Sequence, residues 1–285
     1  MTTKKLTCSV CGETLDPILA AAGTHLLCVN DADLLATELF DIIADGILNQ
    51  PRSLQRKIGP SELGTPCDRR LGYKLAGTPE VNERGVAWPA FVGTAIHSEL
   101  AELMARASIA REARFLVEHR VTVGQVGGLD ITGSLDLYDK QTGTVIDWKC
   151  TTGSQIRDKY RKDVGETYRR QAHLYGRGLV AQGYDVRAVM IVFFSRDKSF
   201  TDRHVWSEAY DEQVALDALA RADSIATSLQ ALGPDFTIPA LDMTDAHCRY
   251  CPWQRNNSTD LAVACPGAPE MSQRTKAPIA LPVLI

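Results

Sequence analysis

The sequence predicts an α/β domain, a mixed central sheet flanked by helices. Three observations predict it. Residues 114 to 151 hold three segments with strand-like alternation. Apolar residues recur at helical spacing around them, most clearly over 211–232. A nearly continuous apolar run at 186–195 suits a strand buried on both faces. The chain has 285 residues, 45% apolar and 23% charged, which excludes wholesale disorder and supplies one sizeable core. Lys and Arg number 31 against 35 Asp and Glu, for a net charge of -4. That balance excludes a polycation that coats nucleic acid by bulk charge, but not a local basic groove.

The elements follow in order. Residues 1–29 carry Cys8-x-x-Cys11 and His25-x-x-Cys28. Two knuckles of this spacing can aim three thiolates and an imidazole at one structural zinc; the alternative is three free thiols and an unrelated histidine. Residues 30–59 read as a helical linker: a helix over about 31–49 with Leu34, Leu35, Leu39, Ile42, Ile43 and Ile47 at helical spacing, stopped by Pro51. Cys67 follows, beside Asp68, Arg69 and Arg70. A helix over about 91–108 carries His97. Strands are expected over 114–123, 129–138 and 144–151, with turns at the glycines 127 and 128 and at 140–143. A helix over 166–182 is entered through a basic stretch that includes Arg169 and Arg170. The strand at 186–195, an edge strand at 204–210 and a helix at 211–232 complete the core. Cys248-x-x-Cys251 and Cys265 come next, and residues 266–285 form a Pro-rich tail expected to be loosely held.

No run approaches the ~18 apolar residues of a membrane span, and residues 1–10 hold no signal-like apolar stretch. The expectation is therefore a cytoplasmic protein without a membrane partner. Its eight cysteines are then not expected to form disulfides; six lie in two clusters with ligand-like spacing, which points to metal, and Cys150, directly after Lys149, fits neither cluster and is expected to be a buried free thiol.

The most informative segment is Gly133-x-x-Asp136, a turn, then Asp147-Trp148-Lys149. Residues two apart on a strand share a face, so Asp147 and Lys149 point together, and the hairpin can bring Asp136 beside them. Two adjacent carboxylates repel unless a cation neutralises them, and a hard Mg2+ or Mn2+ suits oxygen ligands. Such an ion activates water against a phosphoryl group, with Lys149 offsetting the developing charge. His97 and the carbonyl of Trp148 can complete the ligand set. Gln171 and Tyr175, four apart on one helix face, would project together. Asp-x-Lys alone is weak evidence, because Asp at a strand end is often a turn former. The ordered set is much rarer.

That ordered set resembles the RecB-like nucleases of the PD-(D/E)XK superfamily, over roughly residues 60–265. The motifs are Gly93-x-x-x-His97, Gly133-x-x-Asp136, Asp147-x-Lys149 and Gln171-x-x-x-Tyr175. The resemblance implies a restriction-endonuclease-like core, with His97, Asp136 and Asp147 on the catalytic metal and Lys149 as the catalytic lysine. It implies that Gln171 and Tyr175 help to hold DNA. Cys67, Cys248, Cys251 and Cys265 look like the iron–sulfur branch, which includes the AddB nuclease domain and CRISPR-associated RecB-like exonucleases; they would ligate a 4Fe–4S cluster. Zinc on the same four thiolates is the alternative. Phages carry stand-alone relatives, which would place such a protein in the host cytoplasm.

The expectation is a metal-dependent DNA exonuclease acting on single strands or duplex ends in recombination, repair or processing. The basic run around Arg169 and Arg170 would track phosphates, and a helicase or recombination protein would be its partner. The rival expectation is a non-catalytic, metal-stapled nucleic-acid-binding adaptor. A subunit of CRISPR spacer acquisition is a third. No Gly-Lys-Ser/Thr loop follows the glycines, so ATP hydrolysis is not expected.

Overall fold

The computed structural model describes residues 6–7, 14–15, 29–49, 58–82 and 85–268. The chain divides into two compact units, Met1–Gln55 with Val86–Trp88, and Arg56–Gly85 with Pro89–Ile285. The first unit contains an antiparallel ribbon, β1 (Leu6–Thr7) with β2 (Thr14–Leu15), and the helix α1 (Val29–Leu48). Ile47 is buried on α1, whereas Leu39, Phe40, Ile42, Ile43 and Leu48 are exposed. Cys8, Cys11, His25 and Cys28 lie outside the described residues, as does the tail beyond 268.

The second unit is built on a five-stranded mixed sheet in the order β3-β4-β5-β6-β7. The strands are β3 (Phe115–Val126), β4 (Leu129–Asp139), β5 (Thr144–Thr151), β6 (Ala188–Ser195) and β7 (Arg203–Ala209). β3 and β4 form a hairpin closed by Gly127 and Gly128, both at positive φ, 57° and 78°. A two-residue loop needs that mirror-image turn to match the strand twist. β4 meets β5 antiparallel through the turn at 140–143. There Asp139 accepts both Nε and Nη2 of Arg114, at 2.7 and 2.6 Å, and the Thr142 hydroxyl at 2.8 Å. β5 and β6 run parallel, so the chain must cross over between them. The crossover holds a short helix α5 (Gly153–Gln155), one π-turn at Ile156–Tyr160, and the helix α6 (Glu166–Ala181). β7 pairs antiparallel at the edge of the sheet, as the sequence predicts.

Helices α2 (Pro60–Leu63), α3 (Asp68–Ala76), α4 (Trp88–Ile109), α7 (Glu212–Leu232) and α8 (Pro234–Ala240) complete the layers. The core joins Val121, Leu135 and Val145 of the sheet to Leu174 and Leu179 of α6 and Leu219 of α7, all buried. Each such aliphatic side chain contributes about 1.5–3 kcal/mol of hydrophobic stabilisation. A smaller cluster packs Tyr73 of α3 against Ile238, Cys251, Trp253 and Cys265. Tyr73 stacks on Trp253 with ring centroids 5.5 Å apart, and Trp253 Nε1 donates to the Thr78 carbonyl at 2.9 Å. No described helix is long and apolar enough to cross a membrane.

Candidate active site

Four elements converge on β5. Alternation along that strand puts Asp147 and Lys149 on one face, and Lys149 Nζ lies 2.5 Å from Asp147 Oδ2. Asp136 comes from β4. The β4–β5 ladder stops at Leu137 and Ile146, and beyond it the Trp148 amide donates to Asp136 Oδ2 at 2.7 Å. A side chain thus takes the place of a strand partner, which ties Asp136 to the β5 backbone at Trp148, between Asp147 and Lys149. His97 enters from α4 with Nδ1 3.2 Å from Asp136 Oδ1. From α6, Gln171 Oε1 accepts from Lys149 Nζ at 3.2 Å, and the Tyr168 ring lies 4.8 Å from the same ammonium. Gly133 explains the Gly-x-x-Asp spacing. A Cβ there would stand 2.8 Å from Pro60 Cδ and 3.1 Å from the Tyr175 ring, so only glycine lets α2 and α6 close over this part of β4.

Glu118 is the ligand-type residue that the pattern reading missed. The β3–β4 ladder pairs Val117 with Leu137 and His119 with Leu135, but skips Glu118, which stands across from Asp136. Its φ is 47°, a left-handed value in mid-strand. Ligand atoms of His97, Glu118 and Asp136 lie within 4.8 Å of one another. Plain strand alternation gives no sign of this, because the backbone breaks its own period there. Tyr168, three residues before Gln171 on the same helix face, was legible from helical spacing.

The electrostatics fit a cation. Asp147 is 3% exposed, and burial pushes its carboxyl well above the usual range, with the Asp136 charge adding to the shift and Lys149 opposing it. Its Oδ2 has no well-formed hydrogen bond despite the close ammonium. The hydrogen bond to Asp136 raises the His97 pKa against the effect of burial. His97, Glu118 and Asp136 form the close ligand triad, while Asp147 lies outside it and is ion-paired with Lys149; a divalent ion would relieve the clustered carboxylates, and an oxygen-rich set with one imidazole suits Mg2+ or Mn2+. In the family comparison, the model of the PD-(D/E)XK nuclease superfamily matches residues 61–256, well over half of the chain and all of these residues.

The chain belongs to the PD-(D/E)XK nuclease superfamily. The mixed five-stranded sheet with flanking helices is the α/β core of that superfamily. Among solved structures, the chain is similar to an alkaline exonuclease, LHK-Exo, from Laribacter hongkongensis, at 15% identity and a TM-score of 0.43, covering 62% of this chain and 89% of that one. It is also similar to a phage related exonuclease from Haemophilus somnus 129PT, at 16% identity and a TM-score of 0.33, covering 56% and 77%. Both scores lie below 0.5, and the membership rests on the family match. No curated protein matches the sequence.

Outside the PD-(D/E)XK centre, the remaining sequence-derived candidates fall into two places. Cys67, Cys248, Cys251 and Cys265 are buried, free, and line one cavity with Arg70, Tyr73 and Met243. Cys67 is the residue that precedes α3, and the other three come from the chain after α8. Backbone amides of Ala268 and Gly267 donate to the sulfurs of Cys248 and Cys265, each at 3.4 Å. Cys150 is half-buried rather than buried, and its thiol is free.

The DNA-contact candidates on α6 are arranged differently. Gln171 and Tyr175 are both 7% exposed, so they face the protein interior rather than open solvent, Gln171 at Lys149 and Tyr175 beside Gly133. Arg169 Nε is paired with Glu208 Oε1 at 2.6 Å, an oxygen it shares with His173 Nε2. Arg170 pairs with Glu166 one turn earlier at 3.2 Å.

Proposed function

We propose that this protein is a Mg2+- or Mn2+-dependent exonuclease that hydrolyses phosphodiester bonds of DNA, on single strands or duplex ends. The observation that carries the reading is the meeting of Asp136, Asp147 and Lys149 beside His97, inside a PD-(D/E)XK core. His97, Asp136, Asp147, the Trp148 carbonyl and Glu118 would hold the ion. When bound, the ion supplies Lewis acidity at the scissile phosphate and lowers the pKa of water. Lys149 holds the attacking water and offsets charge gathering on the phosphoryl oxygens. Gln171 fixes the ammonium from α6. Burial of Asp147 excludes competing water from the ammonium–carboxylate pair.

The four cysteines form an iron–sulfur site in this reading. The four cysteines are buried and line one cavity. Four thiolates are the donor set of a 4Fe–4S cluster, and zinc on the same four sulfurs is the alternative. Residues 1–29 would form a zinc knuckle on Cys8, Cys11, His25 and Cys28. Residues 30–59 would be a helical linker, 60–265 the nuclease domain and 266–285 a tail. The protein would work in the cytoplasm, or the host cytoplasm if phage-encoded, with a helicase or recombination protein.

The deciding experiment is digestion of end-labelled single-stranded DNA in Mn2+ by the wild type, Asp147→Ala and Lys149→Ala. The wild type is expected to release nucleotides from an end. Either variant should cut at least roughly a hundredfold more slowly while still binding the strand. If the wild type binds DNA but cuts nothing, the non-catalytic adaptor reading replaces this one.

A further inference from the structure

The ammonium of Lys149 is held on three sides. Asp147 Oδ2 lies at 2.5 Å, Gln171 Oε1 at 3.2 Å, and the centroid of the Tyr168 ring at 4.8 Å. Asp147 and Gln171 use lone pairs. Tyr168 offers only the negative face of its ring, which attracts a cation within about 6 Å. The ring is itself fixed. The π-turn at 156–160 carries Tyr160, which stacks on Phe193 with centroids 4.4 Å apart and an interplanar angle of 18°. Tyr168 packs against both, at 5.8 Å from Tyr160 and 6.1 Å from Phe193. Phe193 stands beside Lys149 in the parallel β5–β6 register, so one row of the sheet carries both the lysine and the base of its aromatic wall.

We infer that Tyr168 is a positioning residue for Lys149: its ring face, buttressed by Tyr160 and Phe193, holds the ammonium at the reacting phosphate. This rests on the nuclease reading above and deepens it. A four-carbon side chain pulled by a single carboxylate would fold onto that carboxylate. A ring on another flank, with the amide of Gln171, keeps the charge aimed into the site without adding a second negative charge to compete for the metal. The π-turn provides the extra residue that brings Tyr160 over Phe193, a use of such turns that is frequent at functional sites.

The test is steady-state cleavage of a short single-stranded DNA in Mn2+ by the wild type, Tyr168→Phe, Tyr168→Leu, and a chain with pentafluorophenylalanine at 168. Fluorination keeps the ring's shape and removes its negative face. Tyr168→Phe should keep kcat within about twofold. The Leu and fluorinated forms should lose kcat by roughly tenfold with KM nearly unchanged. Circular dichroism and Tm of each form check the fold, and the fluorinated form separates electrostatics from packing if Leu unfolds the chain. A fluorinated form as fast as Tyr168→Phe overturns the inference, as does a loss confined to KM. If Lys149→Ala cuts as fast as the wild type, the nuclease reading fails first and takes this inference with it.

Discussion

Glu118 and Asp139 sit on the same hairpin and answer to different physics. Glu118 gives up its place in the ladder, takes a left-handed backbone and puts a carboxylate near His97 and Asp136. A non-glycine residue held in that conformation costs on the order of 1–3 kcal/mol, a cost that proteins tolerate mainly at functional positions. Glu118→Gln is expected to weaken Mn2+ binding roughly tenfold, read by calorimetry or by the EPR signal of free Mn2+, with little change in Tm. An unchanged affinity would remove Glu118 from the ligand set. Asp139 is structural. The Arg114 guanidinium holds its carboxyl at about 2, below the usual range, helped by Thr142 and the Gln141 amide. Because the folded pKa is the lower one, its stabilisation is complete above about pH 4 and is lost as pH falls towards 2. Asp139→Asn should lower stability at neutral pH by about 2–4 kcal/mol and flatten the stability–pH curve across that acid window, as read by urea unfolding. Asp136, Asp147, Lys149 and Gln171 were legible in the sequence because strand and helix periods put them on shared faces. Glu118 was not, because its role comes from a break in the period.

The elements themselves were mostly legible. The three strands, the crossover helix and the edge strand are found within a few residues of their expected ends, since apolar alternation and helical spacing record burial directly. Three features left no periodic trace: the π-turn at 156–160, the helix α8 with Pro239 inside it, and the irregular chain from 241 to 268. That last stretch is held by distant partners. Arg69 donates to the carbonyls of Ile238, Pro239 and Leu241, Asn82 Nδ2 to that of Cys251, and Tyr73 to that of Leu261. Such contacts follow from the fold and precede no local pattern. Close packing between elements is testable at Gly133. Gly133→Ala must displace Pro60 of α2 and also crowds the Tyr175 ring of α6, and is expected to cost about 1–3 kcal/mol in thermal unfolding. A neutral result would mean that α2 is free to ride outward.

At the scale of the molecule, the front of the second unit and its last described residues meet at one cavity, although the chain runs through the entire sheet between them. A cluster on Cys67, Cys248, Cys251 and Cys265 would close that long loop and remove entropy from the unfolded chain. Anaerobically purified protein is expected to be brown, with broad absorption near ~400 nm and about four irons per chain. A colourless sample holding only zinc would refute the cluster. Cys67→Ser should lose the colour and lower Tm, while the five strands keep their circular dichroism. The sequence located these four cysteines but did not show that they line one cavity, because spacing along the chain carries no information on distances across the fold.

The same lobe sets how the protein must be handled. Residues 241–268 have no strand ladder and are held by tethers to α3 and to the chain just after it, at Thr78 and Asn82. If the four thiols hold a cluster, oxygen that destroys it would leave the chain around Arg249 and Arg255 open to trypsin long before the sheet gives way. Storage in air with a trace of protease would then shorten the polypeptide from its carboxyl end, and a preparation judged pure by its sheet signal alone could already have been clipped.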